Sequence, residues 1–199
     1  MSNISKGLRK LYRAEGFILL SEALALISYY FLRNSEIAMG IFALISLIGM
    51  LVGAILALGA LNGLKGEHPG FKKAFECTIG VIGGALLLVL VENIWPDVFR
   101  NATADNIVFR VCMLLADLYV MDTCVRLCES NGYVREAKNN RFCYYVFLAL
   151  YLVTFAGEVA TIFDLSAQAL DVFQHVTTAT ALAAQIAYIN VLSTSFKKL

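Results

Sequence analysis

The sequence predicts an all-α integral membrane protein, a compact bundle of six transmembrane helices with both termini in the cytoplasm. Three observations predict this fold: an apolar composition, six long apolar runs, and basic residues that collect in alternate connections. Of the 199 residues, 59% are hydrophobic and 16% are charged, and the mean hydropathy is +0.72. Soluble domains have roughly 45–50% apolar residues and about 25% charged ones. This composition excludes a disordered chain and an ordinary soluble enzyme. The net charge of +1 offers no bulk attraction to nucleic acid.

Each span is predicted from its length, because a helix needs roughly 17–25 mostly apolar residues to cross a bilayer. The predicted spans are 17–32, 37–61, 75–91, 107–127, 142–163 and 172–193. They are too long, and too rich in Leu, Ala, Ile and Val, to be strands of a barrel. The first span is short, and apolar residues at helical spacing precede it among four basic ones, so residues 4–15 are predicted to form a basic interfacial helix.

The orientation follows from the positions of Lys and Arg. Thirteen of the 16 basic residues fall in the N-terminus, the second and fourth connections and the C-terminus, whereas acidic residues dominate the other connections. Basic residues near spans remain on the cytoplasmic side. The sequence therefore predicts a single transmembrane domain over residues 1–199 in the plasma membrane, with the lipid bilayer as its surroundings and both termini inside.

Glycines four residues apart predict where helices meet, because small residues allow close approach of helices in lipid. Three such pairs fall on the second and third spans, so these two spans are expected to form a tight hairpin. The pairs are Gly49 and Gly53, Gly59 and Gly63, and Gly80 and Gly84.

The fourth span carries the most charge. Asp117 lies at its midpoint, and Arg110 lies seven residues earlier on the same helix face. Ionisable groups at membrane depth normally face the interior of a bundle and mark functional sites. Asp122 and Arg126, four residues apart, are expected to form a structural ion pair near the cytoplasmic surface.

Polar residues of the sixth span recur every three or four positions from the outer end inward, so they form a polar stripe on one face of the helix. Together with carboxylates of the first and fifth spans, this stripe predicts an outer vestibule that leads to Asp117. Acids outnumber bases along this path, which suits a cation or a proton. The predicted path residues are Asp117, Arg110, Glu22, Glu158, Asp171, Gln174, His175, Thr178 and Gln185.

The first functional hypothesis is therefore a channel or transporter that moves a small cation, proton or polar solute past Asp117. A chain of this size offers little room for an internal path, so a homo-oligomer is expected under this hypothesis. The alternative from another class is a non-catalytic membrane subunit or scaffold, whose buried charges specify assembly with a membrane partner.

A third alternative is a thiol peptidase at the cytoplasmic face, with His68 as the base and Cys77 as the nucleophile. Their segment GEHPGFKKAFEC resembles the accessory-gene-regulator peptidases, six-span membrane proteins that trim quorum-sensing peptides with a His and a Cys. The segment departs from that family in lacking a double glycine before His68 and in its longer gap to Cys77. Enzymatic activity is otherwise not predicted.

No cofactor or metal is predicted either. The five cysteines include no C-x-x-C pair, and no nucleotide-binding or haem-attachment pattern occurs. Four of them, Cys77, Cys124, Cys128 and Cys143, are expected near the cytoplasmic face, where free cysteines act mostly as small buried apolar residues.

Overall fold

A computed structural model describes residues 2–31, 35–94, 102–160 and 167–199. These residues form six α-helices and no strand, which confirms the all-α prediction. Each helix begins before its predicted span, because helical structure continues past the point where charged residues begin. The last residues of the first and fifth predicted spans, 32 and 161–163, lie outside the described residues. The helices are α1 (Asn3–Phe31), α2 (Glu36–Leu64), α3 (Pro69–Ile94), α4 (Ala102–Ser130), α5 (Val134–Ala160) and α6 (Ala167–Lys198).

The helix ends carry recognisable start and stop signals. Ser35 caps α2, its hydroxyl accepting a hydrogen bond from the Ala38 N–H at 3.4 Å. Pro69 occupies the first position of α3, where its missing N–H costs nothing. Gly132 follows α4 with φ of 79°, a conformation that favours glycine, and the next N–H, of Tyr133, bonds the Cys128 carbonyl at 2.9 Å.

The six helices form a ring in chain order. Each helix packs against the next one along the chain, α6 returns to α1, and α4 and α6 also meet. One end of the ring is filled by a hydrophobic core whose central side chains are fully buried. They include Leu8, Leu64, Phe71, Met121 and Leu192.

The same end gathers the basic segments of the chain, and we call it the basic end. The Ser2 hydroxyl donates to the Leu199 carbonyl at 2.7 Å, and the Ser5 hydroxyl donates to the Phe196 carbonyl at 2.6 Å. Lys198 pairs with Glu136 near the start of α5 at 3.0 Å. The N-terminus, the C-terminus and the connection between α4 and α5 therefore lie together.

The N-terminal segment differs from the predicted interfacial helix. Residues 4–15 belong to the continuous helix α1, and the side chains of Leu8, Leu11 and Ala14 are at most 1% exposed. Their apolar face packs into the core of the bundle, whereas an interfacial helix would present that face to lipid.

The second and third spans do meet, but not in the tight hairpin that the glycine pairs predict. A Cβ added at Gly53 would lie 2.5 Å from Cγ1 of Ile18 and 3.1 Å from the Ala14 carbonyl oxygen, both on α1. Around Gly59 and Gly63 the space is open. The first glycine pair therefore brings α2 against α1, whereas α2 and α3 meet over a much smaller area.

Two helical segments, Ile37–Leu64 and His175–Lys198, are long and apolar enough to cross a membrane, among the residues the structure describes. In the first, only 11% of the most apolar stretch is buried inside the protein. Ile55, for example, is 70% exposed. The central helix of a soluble protein would be largely buried, so this outward apolar surface favours a membrane protein.

Candidate functional site

A cavity of about 520 Å³ lies inside the ring and is lined by side chains from all six helices. Its wall is mainly apolar, with polar groups at defined heights. The polar groups are Glu15, Glu22, Thr78, Arg110, Asp117, Tyr151, Thr154, Gln185 and Tyr188.

A second pocket of about 340 Å³ adjoins this cavity on the side away from the basic end. The two share Glu22, Arg110, Thr154 and Ala181 in their walls, so they lie side by side along the bundle. Thr177 and Thr178 of α6 contribute to the second pocket alone.

The polar groups on three helices repeat at an interval of seven residues. Seven residues are about two turns and roughly 10 Å of helix, so the members of each pair face the same way at different heights. The deep layer consists of Glu15, Asp117 and Gln185, and the outer layer of Glu22, Arg110 and Thr178.

The deep layer contains two acidic side chains and, among the described residues, no basic one. The carboxyl groups of Glu15 and Asp117 interact electrostatically, and the Gln185 amide donates a hydrogen bond to Glu15. Its other atom, Oε1 of Gln185, is buried and has no partner among the described residues. Tyr188, 3% exposed, lies beside both acids. This layer therefore presents two carboxyl groups, with no basic side chain beside them among the described residues, and a spare hydrogen-bond acceptor.

The outer layer pairs an acid with a base. Glu22 interacts electrostatically with Arg110, the one basic side chain among the described residues that line the cavity. The Tyr151 hydroxyl donates to the backbone carbonyl of Arg110 at 2.7 Å, which ties α5 to α4 at this height. Thr154 and Thr180 share a hydrogen bond of 2.8 Å between α5 and α6. The outer layer is thus neutral overall, whereas the deep layer is acidic.

The cavity is closed toward the basic end. Leu11, Leu61, Val120 and Tyr188 belong both to its wall and to the hydrophobic core, and each is at most 5% exposed. The core continues beneath them. As far as the described residues show, the space is a pocket that ends at the deep layer in this conformation.

The remaining predicted path residues fall outside this cavity or outside the described side chains. His175 is exposed and packs against Tyr30 of α1, with ring centroids 5.4 Å apart. The side chains of Glu158, Asp171 and Gln174 lie outside the part of the structure that is described.

His68 and Cys77 do not meet. The His68 Nδ1 accepts a hydrogen bond from the Gly70 N–H at 3.1 Å, at the start of α3, and its ring packs against Phe71. Because α3 is continuous from Pro69, Cys77 lies roughly 12 Å further along its axis. The helix therefore keeps the imidazole and the thiol beyond hydrogen-bond reach.

The expected pair of Asp122 and Arg126 is confirmed, with Nε 2.7 Å from Oδ2 on the exposed surface of α4. Among the described residues, no group of three or more His, Cys, Asp or Glu side chains is placed to hold a metal ion.

Sequence reasoning missed five polar residues of the cavity wall, namely Glu15, Thr78, Tyr151, Thr154 and Tyr188. Glu15 follows directly after a basic segment, so its neighbours in the sequence do not indicate burial. Its spacing of seven from Glu22 was the available signal. The two tyrosines and the two threonines gave no signal, because such residues are common in apolar helices.

Comparison with known proteins gives no match: no family model, curated protein or solved structure is detectably similar to this chain.

Proposed function

We propose that the protein is a membrane carrier that moves a small cation or polar solute through the central cavity. The observation that supports this most is the acidic deep layer at the bottom of a pocket, inside a bundle whose outer surface is apolar. Buried ionisable groups in an apolar bundle are costly, so their concentration on one cavity indicates a binding function.

In this proposal all six helices cross a membrane, and the basic end faces the cytoplasm. The outward apolar surface of α2 supports contact with lipid, since exposing it to water would cost about 25 cal/mol for each Å². The collection of Lys and Arg at one end supports the orientation.

A carrier fits the cavity better than a channel does. A channel needs a continuous path, whereas the hydrophobic core closes this cavity at the deep layer. Transport would require a second conformation in which the space opens toward the basic end and closes at the other. The described residues of one chain line the cavity from all six helices, so a binding site can form within one copy, and the homo-oligomer expected from the sequence stays a prediction.

The residues of the two layers have different roles in this proposal. Glu15 and Asp117 bind the cation, since no basic group at their height among the described residues compensates their charge. Glu22 and Arg110 balance each other at the entrance and supply polar contacts there without holding a cation strongly.

Flux in liposomes tests the proposal. Purified protein is reconstituted, and uptake of Na⁺, K⁺, protons and small organic cations is compared between wild type and Asp117→Asn. Asp122→Asn is the matched control, because it removes an exposed acid from the same helix.

We expect uptake in the wild type and the control and its loss in Asp117→Asn. Equal uptake in all three proteins would contradict the role of the deep layer. No uptake in any of them, with correctly folded protein, would contradict the carrier and favour an assembly role.

A further inference from the structure

We propose that the cation held at the deep layer is an organic ammonium ion with at least one N–H and an apolar body. This inference deepens the proposed function and rests on it for the transport step, but it makes a separate claim about binding. It follows from the unpartnered amide oxygen, the cavity size and the nature of its walls.

The deep layer supplies the groups that an ammonium head requires. Two carboxyl groups without a basic side chain beside them provide acceptors for a cationic head, and Oε1 of Gln185 provides a buried acceptor that nothing in the described residues satisfies. A buried acceptor without a donor is costly, about 1–3 kcal/mol. An R–NH₃⁺ group donates three hydrogen bonds and so can satisfy the amide and both acids together.

The cavity has room for an organic molecule. Its volume of about 520 Å³ exceeds many times the roughly 30 Å³ that a water molecule occupies in the liquid. Outside the polar layers, the wall is made of apolar side chains such as Ile18, Ile82 and Met113. This wall fits a hydrocarbon body that extends from the head toward the outer layer.

Three aromatic rings line the cavity near the position proposed for the ammonium head. Phe147 and Tyr188 pack against each other with centroids 6.1 Å apart, and Phe147 also packs on Tyr151 at 5.9 Å. All three rings line the cavity. Such rings attract organic cations through their faces while packing against an apolar body.

Calorimetric titration of the purified protein in detergent tests the inference with defined probes. The probes are phenethylammonium, its neutral analogue 2-phenylethanol, tetramethylammonium and Na⁺. The variants are Gln185→Leu, which removes the acceptor, and Asp122→Asn, which leaves the cavity unchanged. Size-exclusion and thermal melting profiles show that each variant is folded.

We expect phenethylammonium to bind the wild type and Asp122→Asn alike, and to bind Gln185→Leu at least about tenfold more weakly, as for a lost hydrogen bond to a charged group. The neutral analogue and tetramethylammonium, which lacks an N–H, should bind at least about tenfold more weakly than phenethylammonium. Binding that is unchanged in Gln185→Leu would overturn the inference.

The inference and the carrier proposal can fail separately. Uptake of Na⁺ that depends on Asp117 and is not inhibited by phenethylammonium would keep the carrier but overturn the organic substrate. Binding of phenethylammonium that depends on Gln185, without uptake of any cation, would keep the binding site but overturn the carrier.

Discussion

Replacement of Gly53 by alanine should destabilise the bundle, because α2 lies close against the backbone of α1 at this glycine. The new Cβ would lie 2.5 Å from Cγ1 of Ile18 and within 3.1–3.3 Å of backbone atoms of Ala14 and Ile18. Ile18 can change its rotamer, but the backbone atoms can yield only if the helices separate. Such overpacking costs about 1–3 kcal/mol.

Gly59→Ala on the same helix is the matched control, because nothing lies within 4 Å of its added Cβ. Both replacements gain about 1 kcal/mol of helix propensity, so the difference between them isolates the packing cost. Thermal unfolding in detergent, followed by circular dichroism, should show Gly53→Ala less stable than Gly59→Ala by about 1–3 kcal/mol. If Gly53→Ala is as stable as Gly59→Ala, α2 does not pack against α1 in this way.

Two further predictions concern the basic end. Asn140 is fully buried, and its Nδ2 donates to the hydroxyl of Ser195, which is also fully buried, at 2.9 Å. Ser195→Ala takes this acceptor from the buried amide and should cost about 1–3 kcal/mol in the same unfolding assay, and unchanged stability would contradict that contact. The hydrogen bond from Lys198 lowers the pKa of the Glu136 carboxyl below its ordinary value. Its contribution to stability is thus present at neutral pH and lost as the pH falls through the lowered pKa, so Glu136→Gln should flatten the acid side of the melting-temperature profile. An unchanged profile would count against this ion pair.

The helices could be predicted from the sequence, because apolar runs of membrane length leave few alternatives. Asp117 could be found as well, since a carboxylate in the middle of an apolar run must face the interior of a bundle. Thr178 and Gln185 followed from the polar stripe of α6. In each case, the local pattern along one helix carried the information.

The arrangement of the helices could not be predicted in this way. The spacing of Gly49 and Gly53 identified a contact face of α2 but not the helix that it contacts. Glu15 resembled a surface charge until the structure placed Leu11 and Ala14 of the same helix in the core. Which helices pack against each other depends on how their faces fit together, and the pattern along a single sequence does not show this fit.

Both proposals require a cavity that enters a membrane from one side and ends at the deep layer. The most direct test is the reaction of a membrane-impermeant maleimide with intact cells that produce Thr178→Cys or Lys10→Cys, with labelled sites identified by peptide mass. Thr178 lines the outer pocket, and Lys10 is exposed at the basic end. We expect Thr178→Cys to react in intact cells and Lys10→Cys only after permeabilisation. The reverse pattern, or reaction of both from outside, would contradict the orientation of the cavity.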